Sequence, residues 1–186
     1  MLLKIEDIEL RLLEEGDNEE VVRVVQENRD HLIEYLDFIP NVNLTSQLQA
    51  IQKWKQTYRE GEGFEAGIFL RGQFIGMCGL RIDASDDRGE IGYWLAEEYT
   101  GKGIMTFLVK ELLALGFQRY HLHKITIMTV DTNLKSQGIP KRLGFKYDGL
   151  LRDHQKLHGE YRDLYIFSIL EKEWRLFYGE EGEERG

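Results

Sequence analysis

Two glycines separated by one lysine, Gly101-Lys102-Gly103, stand between an alternating apolar run and a helical one. Glycine lets a chain turn tightly and lets its amide groups approach a ligand closely. A helix starting directly after such a turn adds unpaired N–H groups and the positive end of its dipole. The combination can cradle an anion, a diphosphate in particular. The same residues also satisfy a plain tight turn, and the turn by itself does not choose between the two. Two nucleotide patterns fail. No glycine precedes Gly101-Lys102 at the P-loop spacing. The dinucleotide fingerprint needs a third glycine three residues after Gly103, where Thr106 stands.

Other residues with chemical potential are weaker candidates. Asn133 is a good helix cap, with Ser136 in the first turn that follows. His121 and His123 stand two apart without the His-Glu-x-x-His pattern of a zinc site, and read as loop or strand-edge residues, as do His154 and His158. No metal is expected. The lone cysteine, Cys78, lies in the apolar run Phe74-Ile75-Gly76-Met77-Cys78-Gly79-Leu80 and reads as a small buried hydrophobe. Trp54, Tyr58 and Trp94 read as core aromatics.

The elements that must position these residues follow from periodicity. Residues 8–13 alternate and predict a first strand. Asp17 is placed to cap a helix over 17–28, with Val21, Val22, Val24 and Val25 at helical spacing. A second short helix is expected over 31–38, ended by Pro40. A third, capped by Thr45, should run to about Arg59 with Leu48, Ile51, Trp54, Lys55 and Tyr58 on one stripe. Strands follow over 65–70 and 73–81, joined by the turn Arg71-Gly72, then a loop over 83–87 and a strand over 90–95. A helix over 104–119 should turn Phe107, Leu108, Leu112 and Leu115 to the core. A strand over 124–130, a helix over 134–143 ended by Gly144, strands over 146–152 and 161–170, and a helix over 171–178 complete the pattern. The acidic residues 179–186 are expected to be disordered. The layout is α+β with a mixed central sheet.

Residues 90–106 resemble the acetyl-CoA-binding motif of the Gcn5-related N-acetyltransferase (GNAT) superfamily. The phrase Gly92-Tyr93-Trp94-Leu95, followed by Gly101-Lys102-Gly103-Ile104-Met105-Thr106, is similar to the subgroup of ribosomal-protein serine and alanine acetyltransferases. The superfamily signature Gln/Arg-x-x-Gly-x-Gly/Ala falls on residues 100–105, with Gly103 at its central glycine and departures at Thr100 and Met105. The resemblance covers about residues 8–171. It implies an acyl-CoA N-acyltransferase fold with a mostly antiparallel sheet of about seven strands. Strands 90–96 and 124–130 would run parallel and splay apart, so that the pantetheine arm pairs with the backbone near Trp94, Leu95 and Ala96. Amides of Gly101, Lys102, Gly103, Ile104, Met105 and Thr106 would hold the diphosphate.

The resemblance extends to Asn133-Leu134-Lys135-Ser136 and the later Gly144-Phe145, which are similar to the family's second coenzyme motif. It places Asn133 on the pantetheine and Ser136 near the thiol. Many members carry a tyrosine acid where this chain has Pro140, so Ser136 becomes the candidate acid to the departing thiolate. An attacking amine must lose a proton, and an α-amine, with a pKa near 8, needs only modest help. Glu97 is the first candidate base; Glu90 is the second, and Glu98 lies beside Glu97. A backbone N–H near Leu95 would stabilise the oxyanion, with direct attack and no covalent enzyme intermediate.

The whole chain limits the partners. It has 186 residues with a net charge of -9, which argues against direct nucleic-acid binding. The acidic balance suits a cationic partner, a polyamine or a basic protein segment. No linker-like stretch divides it, so one domain over 1–178 is expected. The opening residues lack a signal-peptide pattern and no run of about 18 apolar residues spans a membrane, so a cytoplasmic protein is expected. The subgroup implies acetyl-CoA as co-substrate, an amine acceptor at a protein N-terminus such as that of a ribosomal protein, and a homodimer. A small-amine acetyltransferase and a non-catalytic CoA-binding sensor are the alternatives.

Overall fold

The computed structural model describes residues 2–5 and 7–182. The strands are β1 (Leu3–Ile5), β2 (Ile8–Leu12), β3 (Gly63–Leu70), β4 (Gln73–Asp83), β5 (Arg88–Leu95), β6 (Lys124–Val130), β7 (Lys146–Leu157) and β8 (Glu160–Leu170). The helices are α1 (Asn18–Glu27), α2 (Arg29–Ile33), α3 (Leu44–Glu60), α4 (Ile104–Ala114), α5 (Leu134–Arg142) and α6 (Glu171–Gly182). The strand order is β1-β2-β3-β4-β5-β6-β8-β7. The ladders β1–β2, β2–β3, β3–β4, β6–β8 and β7–β8 are antiparallel, whereas β5–β6 is parallel. The fold is α+β, as expected, with an eighth strand, the short β1, ahead of the seven anticipated.

Two compact units divide the chain: residues 1–81 with 93–104, and residues 82–92 with 105–186. In the first, the apolar face of α1 (Val21, Val24, Val25) joins Leu13, Leu32, Ile39, Ile51, Phe69, Phe74, Met77 and Ala96 in one buried cluster. The expected cap at Asp17 is not made. Both Asp17 carboxylate oxygens accept from Arg11, each at 2.7 Å, and one also accepts from the Glu14 N–H. A charge-assisted fork outcompetes a cap to neutral amides. The expected cap at Thr45 is also displaced. Helix α3 starts at Leu44, and Asn43 caps it, its Oδ1 accepting from Thr45 and Ser46 N–H while Ser46 Oγ accepts from the Asn43 N–H. The second helix ends at Ile33, and Pro40 lies inside a 3-10 turn, Ile39–Asn41.

In the second unit, α4 buries Met105, Leu108, Val109, Leu112 and Leu113. That stripe repeats at three and four residues, and leaves the expected Phe107 and Leu115 only half-buried at its margins. After Ala114 the helix loosens into a π-helical turn, Leu115–Arg119, which buries Phe117 against Trp174 with ring centroids 5.4 Å apart. Strand β7 runs five residues past the expected 152 because two register shifts absorb its irregularities. Helix α6 reaches Gly182, beyond the expected 178, and residues 183–186 of the acidic segment lie outside the described residues. No helix among the described residues is long and apolar enough to cross a membrane.

Candidate active site

In the first unit the ends of β4 and β5 are shaped by one bulge. The β3–β4 register moves from Ile68↔Gly76 to Phe69↔Phe74, so Ile75 is the extra residue. Its carbonyl accepts the Ala96 N–H at 2.9 Å. A side chain at Gly76 would come within 2.3 Å of the Trp94 carbonyl oxygen and 2.9 Å of the Leu95 Cα, so only glycine permits this approach. The Trp94 carbonyl and the Ala96 N–H thus face β4. Alternation along the strand turns the Leu95 N–H and C=O to the opposite edge. Trp94 packs edge-on against Phe74, ring centroids 5.8 Å apart, and with Ala96 and Tyr99 it anchors this stretch to the buried cluster.

A 3-10 turn follows, Glu97–Tyr99. Its first residue is held at both ends. The Glu97 N–H donates to Asn28 Oδ1 at 2.8 Å, and the Glu97 carbonyl accepts from the Thr100 N–H at 3.0 Å and the Thr100 hydroxyl at 2.8 Å. The Glu97 side chain is exposed. Lys102 lies over the Tyr99 ring, 5.3 Å from its centroid. Burial, and then the Glu98 carboxylate, push the Tyr99 phenol above its ordinary pKa.

Gly101 and Gly103 both adopt left-handed backbone, φ +74° and +80°, and a Cβ at either would meet nothing within 4 Å. The two glycines therefore serve conformation and open space rather than packing. Ile104 then begins α4, whose first N–H groups have no partner within the helix.

The second unit carries the remaining candidates. The parallel pairing of β5 with β6 covers Arg88↔Lys124, Gly89↔Ile125 and Glu90↔Thr126. Within this unit it stops there among the described residues, although β6 continues to Val130 and antiparallel pairing with β8 persists to Val130↔Leu164. Glu90 is half-buried at the last paired register. Thr106, third residue of α4, accepts from Arg142 Nη2 at 2.9 Å. Asn133 caps α5 as anticipated, its Oδ1 accepting from the Ser136 N–H at 3.0 Å. Buried Gln137 secures the same corner by donating to the Val130 and Asp131 carbonyls. Pro140, buried inside α5, offers no hydroxyl where the resemblance implies a tyrosine. Among the described residues no group of three or more His, Cys, Asp or Glu could hold a metal ion.

A strand leading through an open double-glycine turn into a helix, and a parallel pair that stops short of its strands' ends, set the context for comparison with known proteins. Residues 7–146 match the Acetyltransferase (GNAT) domain. The chain belongs to the GNAT acetyltransferase family. It is a GNAT N-acetyltransferase related to ribosomal-protein acetyltransferases. YdaF of Bacillus subtilis (strain 168), which carries a provisional name as a ribosomal N-acetyltransferase, is 34% identical over 172 residues, 91% of this chain and 94% of that protein. The ribosomal-protein-serine acetyltransferase of Escherichia coli (strain K12) is 24% identical over 165 residues, 88% of this chain and 92% of that protein. Among solved structures, RimL, a ribosomal L7/L12 alpha-N-protein acetyltransferase in complex with coenzyme A, superposes with a TM-score of 0.86 at 22% identity, covering 91% of this chain and 97% of that one, a likeness of GNAT fold.

The sequence pattern of this GNAT chain did not reveal three of the residues around these motifs. Asn28 and Arg142 stand far from the partners they bond, and only the fold brings Asn28 to Glu97 and Arg142 to Thr106. Thr100 registered only as a departure from the signature, whereas its hydroxyl has a definite partner in the Glu97 carbonyl.

Proposed function

We propose that this GNAT protein transfers the acetyl group of acetyl-CoA to the α-amine of a protein N-terminus, such as that of a ribosomal protein. The observation that carries the reading is the open turn at residues 101–103, with two left-handed glycines and clear space over both, leading directly into α4. Amides of residues 101–106 suit a diphosphate. Arg142, bonded to the Thr106 hydroxyl, adds a cation at the same helix start. The relatives named for ribosomal-protein acetylation support the acceptor class.

Acetyl-CoA supplies the acyl group and a thiolate leaving group. Glu97 takes the proton from the attacking ammonium, leaving the nitrogen lone pair to form the C–N bond as the C–S bond breaks. The Leu95 N–H, turned away from β4, donates to the carbonyl oxygen as negative charge develops there. Ser136 delivers its hydroxyl proton to the departing sulfur and is reprotonated, through water, by the second proton that the nitrogen sheds as the neutral amide forms. Of Trp94, Leu95 and Ala96, the backbone groups of Leu95 face away from β4 and would pair with the pantetheine arm; Asn133 is assigned a further contact with the arm. Glu90 is the alternative base.

The test is a panel of Ser-start peptides, Ala-start peptides and spermidine, with released thiol as the readout. Turnover confined to the peptides is expected. Turnover confined to spermidine assigns a small-amine acetyltransferase, and binding of acetyl-CoA without thiol release from any amine assigns a sensor. Gly103→Asp, which sets a carboxylate beside the phosphates, is expected to abolish acetyl-CoA binding in calorimetry while the chain stays folded. Retained tight binding would place the carrier elsewhere.

A further inference from the structure

The backbone of Glu97 is restrained at both ends while its side chain stands in solvent. Its N–H is taken by Asn28 Oδ1 at 2.8 Å, and its carbonyl by the N–H and the hydroxyl of Thr100. Asn28 is itself fixed. It sits at the joint between α1 and α2, its Nδ2 donates to the Val24 carbonyl at 2.9 Å, its N–H donates to Val24 and Gln26, and its carbonyl accepts from Leu32. Both sides of the amide are therefore used, and they tie the end of one helix to a turn 69 residues away. The preceding N–H, of Ala96, is held by Ile75 of β4. Successive amides at 96 and 97 are thus bound to two different elements, and the chain enters the turn in a single direction. A carboxylate on a short exposed turn would otherwise sample many positions, and a misplacement of about 1 Å can cost about 100-fold in rate.

We infer that Asn28 and Thr100 are positioning residues for the reaction, holding the Glu97 backbone so that its carboxylate is presented to the acceptor amine. The inference rests on the reading of Glu97 as the base. Thr100 stands where the superfamily signature has Gln or Arg, and the structure gives this threonine a task of its own. Neither residue touches the reacting atoms. Each acts through Glu97.

The test is a double-mutant cycle on the full chain with a Ser-start peptide as acceptor. Thr100→Val keeps the shape and removes one hydrogen bond; Asn28→Ala removes the other clamp. Each is expected to lower kcat, by about 10-fold or more for Asn28→Ala, with the Kd for acetyl-CoA within about twofold of the parent, since a positioning role does not touch carrier binding. In the Glu97→Gln background the same changes are expected to cost nothing further, because residues that act through one group are not additive. A multiplied loss in that background overturns the inference, as does a fall in acetyl-CoA affinity matching the fall in kcat. If Glu97→Gln alone leaves kcat unchanged, the base assignment fails first, and the inference falls with it. Thermal melts identify an unfolded variant; should Asn28→Ala not fold, the cycle with Thr100→Val decides alone.

Discussion

The side chain proposed as the base, Glu97, is defined more by its backbone than by its surroundings. It is exposed, in a chain with 33 acidic residues, so its position rather than its type distinguishes it. Glu97→Gln is expected to lower kcat by about 10- to 100-fold near pH 7 and to leave the acetyl-CoA Kd unchanged. The deficit should shrink above about pH 8, where an α-amine sheds its proton unaided. A deficit constant from pH 6 to 9 would transfer the role to Glu90. Arg142 makes a second prediction at this scale. Arg11, Arg23, Arg71, Arg88, Arg162 and Arg175 each pair with a carboxylate. Arg142 has no carboxylate partner among the described residues and bonds the Thr106 hydroxyl. Arg142→Met is expected to weaken CoA binding by about 10-fold or more, the worth of one charge-assisted hydrogen bond. Binding of acetylpantetheine, which lacks the diphosphate, should not change. Calorimetry with both compounds separates the two.

At the scale of elements, local signals found the segments and erred at their ends. The valines of α1, the hairpin at Arg71-Gly72 and the Asn133 cap were all legible because each depends on neighbours in the chain. Asp17 and Thr45 do not cap their helices because a competing partner settles a cap: Arg11 claims Asp17, and Asn43 stands one residue before the first turn of α3. Asn43→Ala is therefore expected to lower stability by about 1 kcal/mol, whereas Thr45→Ala, inside the helix, should change it little. Urea titrations of the two variants would show the difference, and equal effects would restore Thr45 as the cap. The π-helical turn after α4 and the shifts in β7 are not legible in the sequence for a related reason. Both insert residues into a regular period, and a period cannot announce its own interruption. In the site, the double-glycine turn was visible as sequence. Asn28 was not, since no spacing rule links an asparagine in one helix joint to a turn 69 residues on.

For the whole molecule, ion pairs couple stability to acidity. Arg11 holds the Asp17 carboxyl below the usual carboxylate range, and Lys146, with the Leu170 N–H, does the same for Glu173. In the unfolded chain both carboxyls bind protons at higher pH than in the native state. Their contribution is complete above the unfolded pKa values, near 4, and is lost as pH falls through the lower native ones. Melting temperatures should hold from pH 7 to about 5 and then decline, and Asp17→Asn should flatten the decline while lowering the plateau. An unaltered slope in Asp17→Asn would remove that pair from the account. The lone cysteine has a practical bearing on all these measurements. Cys78 has no solvent exposure, and burial followed by the neighbouring Glu65 charge pushes its thiol above its ordinary pKa. A thiol-reactive dye added to the native enzyme consequently reports product sulfur alone, against a silent protein background. The same dye, given the chain in denaturant, should label one equivalent, so a single reagent counts both catalytic cycles and unfolded molecules.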